Sequence, residues 1–168
     1  MKIGFDRYGA GVFLLIAALL NGCATGGGAQ GLQVDFGRGQ QRNAPLAVVA
    51  RQYTGTCVGG QRESNNCAHF LSDAFIRAGY TELLKRREVV ERCRCGANRV
   101  VRAQDMLKWF QEKAERFQAG TPKKGTGMWA AYQEKPNKRH VLIYDADTGK
   151  YYGTDNCVNW PVQWYYQW

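Results

Sequence analysis

Cys67 and His140 are the two side chains in this sequence best suited to nucleophilic chemistry. Cys67 follows Asn65-Asn66, whose short polar side chains favour a helix start. Phe70, Leu71, Ala74, Phe75 and Ala78 then recur at helical spacing. The pattern predicts a helix over Cys67–Ala78, ended by Gly79 in the C′ position. A thiol in the first turn of such a helix faces unpaired N–H groups and the positive end of the dipole. Both favour thiolate over thiol, and the thiolate is the nucleophilic form. The competing reading of Cys67 is a buried core thiol or half of a disulfide.

The sequence holds two histidines, His69 and His140. His69 lies about 200° around the helix from Cys67, so it points away from the sulfur and suits a structural or surface role. His140 opens the run Arg139-His140-Val141-Leu142-Ile143-Tyr144, a strand pattern. From there it is free to meet the helix start, take the thiol proton and return it to a leaving amine. Ala146–Gly149 reads as a hairpin turn that pairs Asp145 with Lys150 and sets residue 155 opposite His140. A bulge at Gly149 moves that partner to 156. Asp155 and Asn156 can each accept a hydrogen bond from an imidazole N–H, so either completes a triad.

The surrounding elements follow from the same rules. A helix starts after Asn43 with Leu46, Val49, Ala50 and Tyr53 on one side. Residues 54–64 carry Gly55, Gly59 and Gly60 and form a loop, and 81–100 form a charged helix or loop insertion. A third helix spans about 103–118, with Met106, Leu107, Phe110, Ala114 and Phe117 inward; Gly120 and Pro122 stop it. Strands are expected at 128–133, 140–144 and 151–154, and the Trp- and Tyr-rich tail adds an edge strand. Helices first and hairpins afterwards give an α+β fold, N-terminal helices packed on a small antiparallel sheet.

At 168 residues the chain suits one ordinary domain, and its formal charge of +9 points to a polyanionic surface nearby. Lys2 and Arg7 precede an apolar run, Tyr8–Leu20, of signal-peptide length and short of the roughly 20 residues that span a bilayer. Leu20-Asn21-Gly22-Cys23 resembles a bacterial lipobox. Residues 1–22 are therefore expected to be a signal peptide, with Cys23 the lipid attachment site and membrane anchor. Residues 23–43, rich in Gly and Gln, are a flexible tether, and 44–168 the folded domain. The expected location is the bacterial cell envelope, facing the periplasm or exterior, and export argues against a nucleic-acid partner.

Six cysteines are present: Cys23, Cys57, Cys67, Cys93, Cys95 and Cys157. With Cys23 lipidated an odd number remains, and Cys67 is the thiol left over. Cys57, Cys93, Cys95 and Cys157 are then disulfide candidates in three possible pairings. Cys93 and Cys95 are too close to pair with each other, so each is expected to reach Cys57 or Cys157. Zinc on these four cysteines does not fit a ribbon or finger spacing; no metal or cofactor is expected, and a monomer is.

Asn66-Cys67-Ala68-His69-Phe70 opening a helix, followed by Arg139–Tyr144 and Gly149-Lys150-Tyr151-Tyr152 as a strand pair, resembles the papain-like NlpC/P60 and CHAP cell-wall cysteine peptidases and amidases. The resemblance covers about residues 65–156. It implies a papain-like domain, a Cys67–His140–Asp155 or Asn156 triad, and peptidoglycan stem peptides as substrate. Gln61 or Asn65 would join the Cys67 N–H as oxyanion donor. The rival expectation is a non-catalytic, disulfide-stabilised envelope lipoprotein acting as a binding module.

Overall fold

A computed structural model describes residues 45–60, 66–154 and 159–168 of the chain. The signal, lipid-anchor and tether assignments over 1–43, Cys23 included, lie outside the described residues. No helix among the described residues is long and apolar enough to cross a membrane.

The first helix, α1, runs Leu46–Gln52 behind Pro45, whose fixed φ suits a helix entry. The second, α2, runs Asn66–Arg77. It ends as the sequence predicts: Gly79 takes φ 103°, Gly79 N–H donates to the Ile76 carbonyl, and Tyr80 N–H to that of Phe75. That is the Schellman pattern, which a side chain at Gly79 would strain. Every residue from Cys67 to Phe75 is buried, so α2 is enclosed on all sides rather than along one stripe.

Residues 81–100 are neither one helix nor a free insertion. A 3-10 turn at Thr81–Leu84 leads into a small knuckle closed by the Arg92–Val100 bridge, with Gly96 and Asn98 at positive φ. Arg92, one of the charges in this segment, does not simply point into solvent. Its guanidinium donates to the carbonyls of Leu83, Arg86 and Asn98 and ties the segment together.

The third helix, α3, covers Ala103–Lys113 and stops five residues before the expected end. At Ala114 the backbone turns extended (ψ 124°), and Glu115 N–H donates to the Gln167 carbonyl. The chain then forms β1, Arg116–Ala119. Phe117, expected inward on a helix, is 59% exposed. A ladder with a distant strand outcompetes continuation of the helical period.

Four more strands follow: β2 (Met128–Lys135), β3 (Lys138–Asp145), β4 (Lys150–Tyr152) and β5 (Val162–Gln167). The sheet order is β1-β5-β2-β3-β4 with every pairing antiparallel. The tail strand is therefore interior, between β1 and β2, not an edge. The hairpin over 146–149 has the unbulged register, Asp145 opposite Lys150. Its turn is held by the Asp145 carboxylate, which accepts from the Asp147 and Thr148 N–H groups and the Thr148 hydroxyl. The hydroxyl bond most of all holds the Asp145 carboxyl below its ordinary range.

The sheet buries both faces. Ala130, Tyr132, Val141, Ile143 and Tyr166 join the helices in the main core. Trp129, Ala131, Leu142, Tyr144 and Tyr165 form a second cluster on the opposite face. At the far end of the main core, Trp168 donates its indole N–H to the Tyr80 hydroxyl (2.8 Å), within an aromatic group of Phe75, Trp109 and Phe110. Burial pushes the Tyr80 hydroxyl up to about 12. Among the described residues the architecture is thus α+β, three α-helices and a five-stranded antiparallel sheet.

Candidate functional site

Cys67 is the second residue of α2, a reduced thiol with 3% of its surface exposed. Its Sγ lies 4.0 Å from the carbonyl oxygen of Arg139, the residue covalently joined to His140. The start of the buried helix is thereby packed against the start of β3, the two places where sequence put the nucleophile and the base. His140 itself is 3% exposed. By strand alternation its side chain leaves β3 on the Leu142 side, whereas Cys67 packs in the cluster of Val141 and Ile143 on the other face, so it is the backbone leading into His140 rather than the ring that the helix start meets. Among the described residues the β3–β4 ladder covers only Ile143–Asp145. The His140 end of β3 therefore lies beyond that ladder, and there Cys67 approaches the strand.

Three residues frame the imidazole. A Cβ built on Gly153 would stand 3.6 Å from His140 Nε2 and 2.8 Å from the Leu142 Cβ, so a side chain there would crowd the strand. Trp160 has its ring centroid 6.0 Å from that of His140 and carries the Lys135 ammonium over its own ring at 4.7 Å. Gln133 is directly opposite His140 on the β2–β3 ladder and fully buried. Its amide oxygen and nitrogen make no hydrogen bond among the described residues. A buried, unsatisfied amide beside an imidazole is costly unless it serves something. Sequence reasoning missed Gln133 because its partner is set by strand register alone.

Asp155, Asn156 and Cys157 lie outside the described residues, as do Gln61 and Asn65.

The other face of α2 holds a different constellation. His69, on the opposite side of the helix from Cys67 as its spacing requires, is fully buried rather than at the surface. Its Nε2 is 3.5 Å from Cys95 Sγ; Cys95 Sγ is 3.6 Å from Cys57 Sγ and 2.7 Å from Cys93 Sγ. Cys57, Cys93 and Cys95 are free thiols, with neither the Cys57–Cys95 nor the Cys93–Cys95 sulfur pair at the roughly 2.05 Å of a disulfide; Cys157, the fourth disulfide candidate, lies outside the described residues. Burial, and then the neighbouring Cys95, push the Cys93 thiol up. Asp73, one turn beyond His69 and fully buried, accepts from Arg99 Nε at 2.7 Å, and Arg77 adds an ion pair at 2.9 Å to its other oxygen. Arg99 closes the knuckle through its backbone: its carbonyl accepts from Cys93 N–H, and its own N–H points at Cys93 Sγ.

No known protein family, curated protein or solved structure matches this chain.

Proposed function

We propose that the protein is a cysteine-dependent amide hydrolase of the papain-like kind, acting on peptidoglycan stem peptides in the bacterial envelope. The observation that carries the reading is the reduced thiol of Cys67, in the first turn of a buried helix and 4.0 Å from the backbone that introduces His140. A disulfide at Cys67 would have favoured the binding-module alternative.

In this reading the His140 imidazole, which leaves β3 on the Leu142 face while Cys67 packs in the cluster of Val141 and Ile143, turns about the end of the strand to take the Cys67 proton as Sγ bonds to the amide carbonyl carbon. The tetrahedral oxyanion is held by the Cys67 N–H at the helix start, where the dipole favours negative charge. Collapse breaks the C–N bond, and His140 returns the proton to the departing amine. Water, deprotonated by the same imidazole, then cleaves the thioester and restores the thiol. Gln133 is the positioning residue on one side of the ring, and Asp155 or Asn156 serves on the other. The basic chain suits an anionic polymer.

The test is digestion of purified sacculi with the wild-type protein and with Cys67→Ala, the soluble products identified by mass spectrometry. Peptide fragments released by the wild type and absent with the variant are expected. Equal release by both, or none from sacculi and isolated stem peptides alike, would overturn the assignment.

A further inference from the structure

We propose that Cys57, His69, Cys93 and Cys95 form a closed, structural zinc site. The four ligand atoms, one from each residue, lie within 4.8 Å of one another, with Cys57, His69 and Cys93 buried and Cys95 half-buried. For tetrahedral Zn²⁺ with Zn–S near 2.3 Å and Zn–N near 2.0–2.1 Å, neighbouring donors stand roughly 3.5–3.8 Å apart. The Cys57–Cys95 and Cys95–His69 separations, 3.6 and 3.5 Å, match those edges. The Cys93–Cys95 pair, at 2.7 Å, needs its thiols to swing apart around an ion.

The backbone around these donors is built for such a site. The Cys57 carbonyl accepts from Gly60 N–H in a tight turn, and Cys93-Arg94-Cys95-Gly96 forms another. The two turns interlock: a Cβ on Gly59 would fall 2.6 Å from the Cys95 carbonyl oxygen and 2.7 Å from its Sγ. Arg99 N–H points at Cys93 Sγ (3.3 Å), the kind of outer contact that orients a ligating thiolate. Three thiolates and one imidazole favour Zn²⁺ over hard, oxygen-seeking cations. With four protein donors no coordination position is left for substrate, so the ion is structural. It would fasten the 53–60 loop and the 92–100 knuckle to α2 through His69, two residues from Cys67. The inference is independent of the hydrolase reading.

The experiment is metal analysis of the purified protein, prepared under reducing conditions with ZnCl₂ and dialysed, by elemental mass spectrometry and native mass spectrometry. One zinc per chain is expected, unchanged by Cys67→Ala and reduced at least tenfold by Cys95→Ser. Cobalt exchange provides a readout that does not need a folded variant. The wild type with Co²⁺ should show thiolate-to-cobalt charge transfer and the intense visible bands of tetrahedral coordination. Less than a tenth of an equivalent of zinc, zinc lost with Cys67→Ala but kept with Cys95→Ser, an octahedral cobalt spectrum, or a disulfide among Cys57, Cys93 and Cys95 in the metal-supplemented protein would each overturn the proposal.

Discussion

Cys67→Ser is expected to lower amide hydrolysis by at least about 10³-fold, and His140→Ala by a similar factor, with the double variant no worse than either single one. The serine hydroxymethyl group fills nearly the same space as the thiol side chain, so the helix start and its packing on β3 should survive. What is lost is the nucleophile, since an alcohol is far harder to deprotonate than a thiol. Removing the base leaves the thiol in place without a proton acceptor. Residues acting as one unit give non-additive losses, and that non-additivity separates a working pair from two independent structural contributions. Steady-state kinetics on a soluble stem peptide, with circular dichroism for fold, measures it. Strictly additive losses, or activity retained in Cys67→Ser, would contradict a nucleophile and base acting together.

Asp73→Ala should destabilise the domain by about 3–5 kcal/mol, because it leaves the Arg99 guanidinium buried without its anion. Asp73 is fully buried and Arg99 is 7% exposed, so water cannot take over. Arg77, at 2.9 Å, loses its partner too, but it is better solvated and should contribute less. A loss of that size is a large part of a typical domain's stability, and urea unfolding should show a much earlier midpoint. Asp73→Asn keeps an acceptor for Arg99 Nε and should lose less. An Asp73→Ala cost below about 1 kcal/mol would mean that Arg99 finds another partner or reaches solvent. The damage should concentrate at the 92–100 knuckle, since Arg99 also carries the backbone contacts to Cys93.

Local chemistry made much of this fold readable. The Gly79 stop works because only a positive φ lets the next two N–H groups turn back onto α2. The β3–β4 hairpin is legible because a four-residue turn fixes the register of what flanks it. Opposite cases have a common cause. Helix α3 reads on to Phe117 by period, but the distant strand β5 claims residues 116–119 for a ladder. The tail looks like an edge because nothing in its composition says that β1 will cover its other side.

The candidate site divides the same way. Cys67 and His140 stand out by type and by place on their elements, whereas Gln133 emerges only from strand pairing. Helical spacing correctly turned His69 away from Cys67. It could not say that Cys57 and the Cys93–Cys95 knuckle, from separate segments, would be waiting on that side. Treating the cysteines as a disulfide set left the imidazole out, and with it the donor that completes the cluster.

The most direct measurement is the rate of Cys67 alkylation by iodoacetamide as a function of pH, followed by peptide mass spectrometry in the native protein and in His140→Ala. Because Cys67 is 3% exposed, a mere core thiol would react only on unfolding. The hydrolase reading predicts native-state labelling at Cys67 with an apparent pKa well below the roughly 8.5 of a free cysteine, and a slower, alkaline-shifted reaction once His140 is removed. A Cys67 that stays unlabelled until the protein unfolds, or labels identically in the two proteins, would contradict it.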